Sequence, residues 1–97
     1  MIVDCHVHLN NYEGSSASTP AERFENLKRE MEANGVDYAL ILSSFTVNAQ
    51  RPSLIEILDL VADDRRFGVV AGVSYLRYTA HDLADLRLLL REGRLKG

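Results

Sequence analysis

The stretch T-P-A-E-R-F-E-N-L-K-R-E-M-E-A-N-G-V-D-Y-A-L-I-L-S-S, residues 19–44, decides the fold class because a complete helix is followed at once by a strand. Thr19 can cap a helix, Pro20 suits its first turn and Glu22 completes a capping box. Gly35 ends the helix, since glycine accepts the left-handed conformation common at that position. The remainder, V-D-Y-A-L-I-L-S-S, is nearly all apolar and predicts a strand in a sheet covered on both faces.

The same succession of strand, loop and capped helix recurs on both sides of that stretch. Further strands are predicted at residues 2–9 and 67–74, and residues 10–18 are predicted as a loop. Two more capping boxes begin the second and third helices, Ser53 with Glu56 and Thr79 with Asp82, and Gly93 ends the third helix. The order β-α-β-α-β-α predicts parallel strands joined by right-handed helical crossovers.

Composition and charge exclude several classes of partner. The chain has 97 residues, of which 46% are hydrophobic and 26% are charged, and its net charge is -3. This is an ordinary globular balance. Basic residues are mixed with acidic ones, so we expect neither nucleic acid nor a membrane surface as a partner. No apolar run approaches the length of a membrane span.

The single cysteine, Cys5, excludes a disulfide within the chain and fits a reducing compartment. The start, M-I-V-D-C-H-V-H-L-N, has no basic region ahead of its apolar residues and does not resemble a signal peptide. We therefore expect a cytoplasmic protein. In the first strand Cys5 alternates away from the histidines, so we expect it to be a small buried side chain facing the helices.

The first predicted strand carries the strongest chemical pattern, D-x-H-x-H. Asp4, His6 and His8 are spaced so that one face of a strand holds all three. The histidines fall at the carboxyl end, where parallel α/β folds build their sites. Two imidazoles side by side are suited to zinc, and Asp4 could support either the strand or the histidines from behind. The alternative is that both histidines are polar side chains that face water or are satisfied in a core.

Four segments carry a resemblance to a known family. They are I-V-D-C-H-V-H-L (2–9), A-N-G-V-D-Y-A-L-I-L-S-S (33–44), D-D-R-R-F-G-V-V-A-G-V (63–73) and D-L-R-L-L-L-R-E-G-R-L-K-G (85–97). Together they resemble the amidohydrolase superfamily, in its amidohydrolase-2, or ACMSD-related, branch of metal-dependent hydrolases and decarboxylases. The resemblance implies that residues 1–97 are the first three βα units of a (β/α)₈ TIM barrel, truncated after the third helix.

The resemblance also implies the chemistry. His6 and His8 would bind a divalent metal, often zinc, that activates water to hydrolyse a C–N or C–O bond of a small-molecule substrate or assists a decarboxylation. The remaining ligands and the catalytic aspartate of this family come from later strands. No catalytic or substrate-binding residue is therefore assigned in this chain, and we expect the isolated 97-residue chain to be inactive.

Other side chains near the predicted strand ends have both a functional and a structural interpretation. His81 is either a third ligand or an exposed residue in the first turn of a helix. The further candidates for the rim of a site are Asn10, Asn11, Tyr12, Ser43, Ser44, Tyr75, Arg77 and Tyr78. Loop chemistry and surface packing are the alternative explanations for these residues.

Two other functions remain open at this point. The H-x-H strand also occurs in TatD-like and PHP-like metal-dependent phosphoesterases, although the chain has no basic patch for a phosphodiester. The second alternative is a non-catalytic βα module that forms a homo-oligomer through the open edges of a three-stranded sheet. Residues 95–97, L-K-G, are predicted to lead into a further strand.

Overall fold

The computed structural model describes residues 1–12 and 19–97. Within these ranges the elements are β1 (Val3–Val7), α1 (Pro20–Asn34), β2 (Tyr38–Leu42), α2 (Leu54–Val61), β3 (Phe67–Val70) and α3 (Ala80–Arg91). The strands form one parallel sheet in the order β1-β2-β3. The predicted α/β class, with parallel strands alternating with helices, is confirmed. Residues 13–18 of the predicted first loop lie outside the described residues.

All three predicted capping boxes begin a helix. At the start of α1 the backbone N–H of Glu22 donates to Thr19 Oγ1 at 3.1 Å, and the Thr19 N–H donates back to the Glu22 carboxylate at 3.1 Å. Ser53 with Glu56 and Thr79 with Asp82 repeat this pair of bonds. Each box satisfies backbone donors that the first helical turn leaves without partners. The end of α1 also follows the prediction, because Gly35 is left-handed with a φ of 66°.

The core lies between the sheet and the helices α1 and α2. Ala39 and Ile41 of β2 are fully buried, and they pack with Ile57 of α2 in one apolar cluster. Phe24 of α1 meets Phe67 of β3 edge to face, with ring centroids 4.8 Å apart. Burying such side chains is the main stabilising contribution of this layer.

The opposite face of the sheet differs from the prediction. Tyr38, Leu40 and Leu42 alternate with the buried residues of β2 and are only half-buried. The continuous apolar run of β2 therefore supplies one covered face and one partly open face in the described residues. Sequence alone indicates that both faces are apolar, but not which neighbouring elements cover them.

The edge strand β1 corrects a second prediction. Cys5 is exposed, and so are Val3, Asp4 and His6. The prediction that Cys5 is buried against the helices is wrong, because no described element covers the face of β1 that holds Cys5. The register between β1 and β2 also shifts between Asp4 and Val7, which marks a bulge in β1. Because of this bulge, the side chains of residues 4–7 do not alternate regularly between the two faces of the sheet.

Residues 95–97 run beside β3 after Gly93, whose φ of 75° closes α3. The Lys96 N–H donates to the Val69 carbonyl at 2.8 Å, and the Ala71 N–H donates to the Gly97 carbonyl at 2.9 Å. Leu95 is buried in the core. This segment adds backbone bonds to the outer side of β3, as a neighbouring strand does. Each helix in the described ranges is too short or too polar to cross a bilayer.

Candidate metal centre

His6 and His8 come together at the carboxyl end of β1. Their Nε2 atoms lie 3.2 Å apart, and the two rings meet at 69° with centroids 5.0 Å apart. Two nitrogen ligands at 2.0–2.1 Å from a tetrahedral zinc ion are separated by about 3.3 Å. The two Nε2 atoms therefore already have the separation that shared coordination of one ion requires.

The tautomer of His8 is set by the neighbouring strand. Its Nδ1 lies 2.8 Å from the backbone carbonyl oxygen of Leu42, at the end of β2. A carbonyl oxygen only accepts, so Nδ1 carries the hydrogen and donates it. In neutral His8 the lone pair then resides on Nε2, which faces His6. Histidines that bind metals are commonly oriented by a bond of this kind from the second ring nitrogen.

The facing nitrogens also define the metal-free state of the pair. With a lone pair on His8 Nε2, the 3.2 Å contact is a hydrogen bond only if His6 Nε2 carries the donated hydrogen. A cation bound by both nitrogens has to displace this hydrogen, so metal and protons compete for the pair. His6 is exposed and His8 is half-buried, which leaves the pair accessible from solvent.

The acidic and histidine residues predicted near the pair do not join it. The Asp4 carboxylate accepts from the backbone N–H of His6 at 3.1 Å, so it supports the strand and not an imidazole. His81 lies on the surface of α3, where its Nε2 is 3.4 Å from the Asp85 carboxylate. Within residues 1–12 and 19–97, no group of three or more His, Cys, Asp or Glu side chains is arranged to hold a metal ion.

Polar side chains at the ends of the strands bond to one another. The Asn10 amide donates to Ser44 Oγ at 3.3 Å, which links the loop after β1 to the loop after β2. Ser43 is buried, and its Oγ accepts from the Gly72 N–H at 2.9 Å, which links β2 to the segment after β3. These bonds fix the carboxyl end of the sheet on which the histidine pair lies.

Two of the remaining rim candidates line a separate groove. Arg77 and Tyr78 line a groove of about 690 Å³ between the loops after β2 and β3 and helix α3. Its walls are mainly apolar, and its charged residues are Arg77, Asp82 and Asp85. Neither histidine of the pair is among the described residues that line it. Tyr75 and Tyr12 are exposed.

Two features of this end of the molecule were not predicted. Arg23 of α1 is buried, and its Nε donates to the Leu9 carbonyl at 2.6 Å, directly after the histidine strand. An arginine in the first turn of a helix gives no sequence signal of burial. The Leu42 carbonyl that orients His8 is likewise invisible in sequence, because every residue has a backbone carbonyl.

An ion pair held by two parallel bonds lies just before β3, at the amino end of the sheet. Arg66 donates from Nε to one oxygen of Asp64 at 3.0 Å and from its terminal nitrogen to the other at 2.7 Å. These bonds hold the pKa of the Asp64 carboxyl below its ordinary value and raise the pKa of Arg66. This pair stabilises the turn between α2 and β3.

Comparison with protein-family models, with curated proteins and with solved structures gives no match to this chain.

Proposed function

We propose that this chain is the amino-terminal part of a metal-dependent hydrolase of the amidohydrolase-2 type. The observation that carries the proposal is the histidine pair: two Nε2 atoms 3.2 Å apart, one of them freed to bind a cation by the bond from His8 Nδ1 to the Leu42 carbonyl. The position at the carboxyl end of a first parallel strand agrees with where barrels place their chemistry.

The donor set supports zinc as the divalent metal. Two neutral imidazole nitrogens are ligands that zinc favours, and His6 and His8 would occupy two of its four positions. When bound, the ion supplies an activated water for hydrolysis of a C–N or C–O bond, or assists decarboxylation. This chain would contribute two of the zinc ligands, His6 and His8, and would hold them in the required orientation. The remaining ligands and the general base belong to other strands of the proposed barrel.

The surfaces of the sheet support membership of a (β/α)₈ barrel. The half-buried face of β2, with Tyr38, Leu40 and Leu42, is the face that turns inward when a parallel sheet closes on itself. β1 is the end strand of the described sheet, so its free edge is where a last strand would pair. On the other side, Lys96 already bonds to β3. Closure removes both open edges.

Zinc binding by the full chain tests the proposal. We expect isothermal titration of the metal-free protein with zinc to show saturable binding, and His6→Ala and His8→Ala each to weaken it by tenfold or more. His81→Ala is the matched control, because His81 is exposed on α3 and should leave the affinity unchanged. Binding that survives both His6→Ala and His8→Ala would refute the proposed site.

Substrate panels then separate the chemistries. We expect the zinc-loaded protein that contains the whole barrel to act on small amides, lactones or carboxylic acids. Cleavage of phosphodiesters in place of these substrates would favour the phosphoesterase alternative.

A self-associating module is the second candidate, and helix α3 is the observation that favours it. Leu83, Leu88 and Leu90 are each more than 40% exposed on this helix. Apolar side chains in such numbers on one helix are typical of a surface that another element covers. Sedimentation of the chain with zinc and with EDTA distinguishes the two functions. A stable oligomer that is indifferent to both supports the module, whereas zinc binding by His6 and His8 supports the hydrolase.

A further inference from the structure

One peptide unit connects the histidine pair to the far strand of the sheet. The unit between Leu42 and Ser43 offers its carbonyl oxygen to His8 Nδ1 at 2.8 Å and its N–H to the Val70 carbonyl at 2.9 Å. The C=O and N–H of a trans peptide point in opposite directions. Fixing the N–H against β3 therefore aims the carbonyl towards the end of β1.

The side chain of Ser43 makes a second bond to the same region. Ser43 is only 6% exposed, and its Oγ accepts from the Gly72 N–H at 2.9 Å. The backbones are in close approach here, because a Cβ placed on Gly72 would collide with the Ser43 carbonyl oxygen. Ser43 is thus bonded through both its backbone and its hydroxyl to the chain that leaves β3.

We propose that Ser43 is a positioning residue that acts through the Leu42 carbonyl to select the Nδ1–H tautomer of His8. Its role as part of a metal centre rests on the proposed function above. The two bonds from residues 43 to 70–72 prevent the peptide unit from rotating, so the carbonyl stays directed at His8 Nδ1. The His8 Nε2 lone pair then remains directed at His6, where a zinc ion would bind.

The tautomer of His8 can be measured without metal. In the full chain, ¹⁵N chemical shifts of the imidazole nitrogens at a pH of about 8.5, well above an ordinary histidine pKa, should identify a protonated Nδ1 and an unprotonated Nε2. Ser43→Ala should shift His8 towards the Nε2–H tautomer and weaken zinc binding by about tenfold. Ser43→Thr keeps the hydroxyl and should restore both properties. An unchanged His8 tautomer in folded Ser43→Ala would overturn the proposal.

The neighbouring serine provides the matched control. Ser44 accepts from the Asn10 amide but does not bond to the segment after β3. Ser44→Ala should therefore leave the His8 tautomer as in the wild-type chain. An equal change of tautomer in Ser44→Ala and Ser43→Ala would contradict a specific role of Ser43.

If Ser43→Ala does not fold, the wild-type chain still tests the proposal. In the wild-type chain, hydrogen exchange should be slow at the Gly72 amide and at His8 Nδ1, because both hydrogens are donated in these bonds. Fast exchange at either position refutes the linked bonds. Failure of the proposed function is a separate outcome. If wild-type His8 has the Nδ1–H tautomer but the chain does not bind zinc, the role of Ser43 stands and the proposed metal centre is refuted.

Discussion

Helices α1 and α3 begin in the same way but are incorporated into the fold differently. Both start at a threonine capping box, Thr19 with Glu22 and Thr79 with Asp82. Helix α1 buries Arg23, Phe24 and Met31, whereas no residue of α3 in the described chain is buried. The same capping signal therefore begins both helices, whereas the burial of each helix depends on which elements lie beside it.

Topology explains the difference. Helices α1 and α2 each connect two strands that pair directly, so each helix lies against the sheet that it helps to build. Helix α3 follows β3, and residues 96–97 after this helix bond to the edge of that strand. Its half-buried Leu86 and Leu89 reach the core, while the rest of its apolar surface stays open.

Truncating a core side chain should give the largest contrast between the helices. Ile57 of α2 is 1% exposed and Leu88 of α3 is 55% exposed. We expect Ile57→Ala to lower the free energy of unfolding by about 3 kcal/mol, because it leaves a cavity. Leu88→Ala should change it by less than about 0.5 kcal/mol. Urea unfolding followed by circular dichroism measures both, and similar losses would show that α3 is covered in solution.

A half-buried residue of α3 should fall between these extremes. Leu86 packs on the edge of the core, so Leu86→Ala should cost about 1 to 1.5 kcal/mol, less than a fully buried leucine. Leu83→Ala is the control on the exposed part of the same helix and should have little effect. Comparable urea midpoints for the two variants would contradict the proposed attachment of α3 through Leu86.

Removing the capping threonines of α1 and α3 should affect different measurements: unfolding of the whole chain for α1 and local opening of the helix for α3. Thr19→Ala should destabilise the whole chain by about 1 kcal/mol, since α1 is part of the core. Thr79→Ala removes an equivalent cap, but we expect its effect mainly as faster hydrogen exchange at amides of α3. Global unfolding lowered equally by both substitutions would mean that α3 unfolds only together with the core.

The pH dependence of stability should show the smallest difference between the packed helices and α3. The bonds from Arg66 lower the pKa of Asp64 at the packed end of α2, and the bonds from Thr79 lower the pKa of Asp82 at the start of α3. A carboxyl whose pKa is lower in the folded state than in the unfolded state stabilises the folded state. Its contribution is complete above the unfolded pKa of about 3.9, and it is lost as the pH falls through the pKa of the folded state.

The free energy of unfolding, measured between pH 6 and pH 2, tests this difference. Asp64→Asn should reduce its decline below about pH 4, because the variant has no carboxyl to protonate. Asp82→Asn should alter mainly the exchange of α3 amides. If Asp64→Asn loses stability with falling pH as steeply as the wild-type chain, the ion pair with Arg66 does not contribute to acid unfolding.

The features predicted correctly from sequence depend on nearby residues. Each capping box and the left-handed Gly35 involve residues within a few positions of one another, so the sequence contains the complete signal. His6 and His8, two positions apart, were expected side by side, and their Nε2 atoms do lie in contact. Their role as metal ligands remains a prediction.

The features that were missed depend on distant neighbours. Cys5 was expected to be buried, yet it is exposed because burial depends on what covers β1. The Leu42 carbonyl and the buried Arg23 contact residues that are far along the chain or present only as backbone. No local pattern specifies these contacts, since the three-dimensional arrangement of strand ends creates them.

The exposed Cys5 makes the outer strand accessible to chemical footprinting. It is the single cysteine of the chain, so a thiol-specific alkylating reagent modifies one known position, next to His6. The rate of modification therefore measures the coverage of β1 directly. Fast alkylation corresponds to an uncovered strand, and protection reports that a closing strand or a second copy of the chain has docked there. Occupancy of this edge can thus be followed over time without a structure of the assembly.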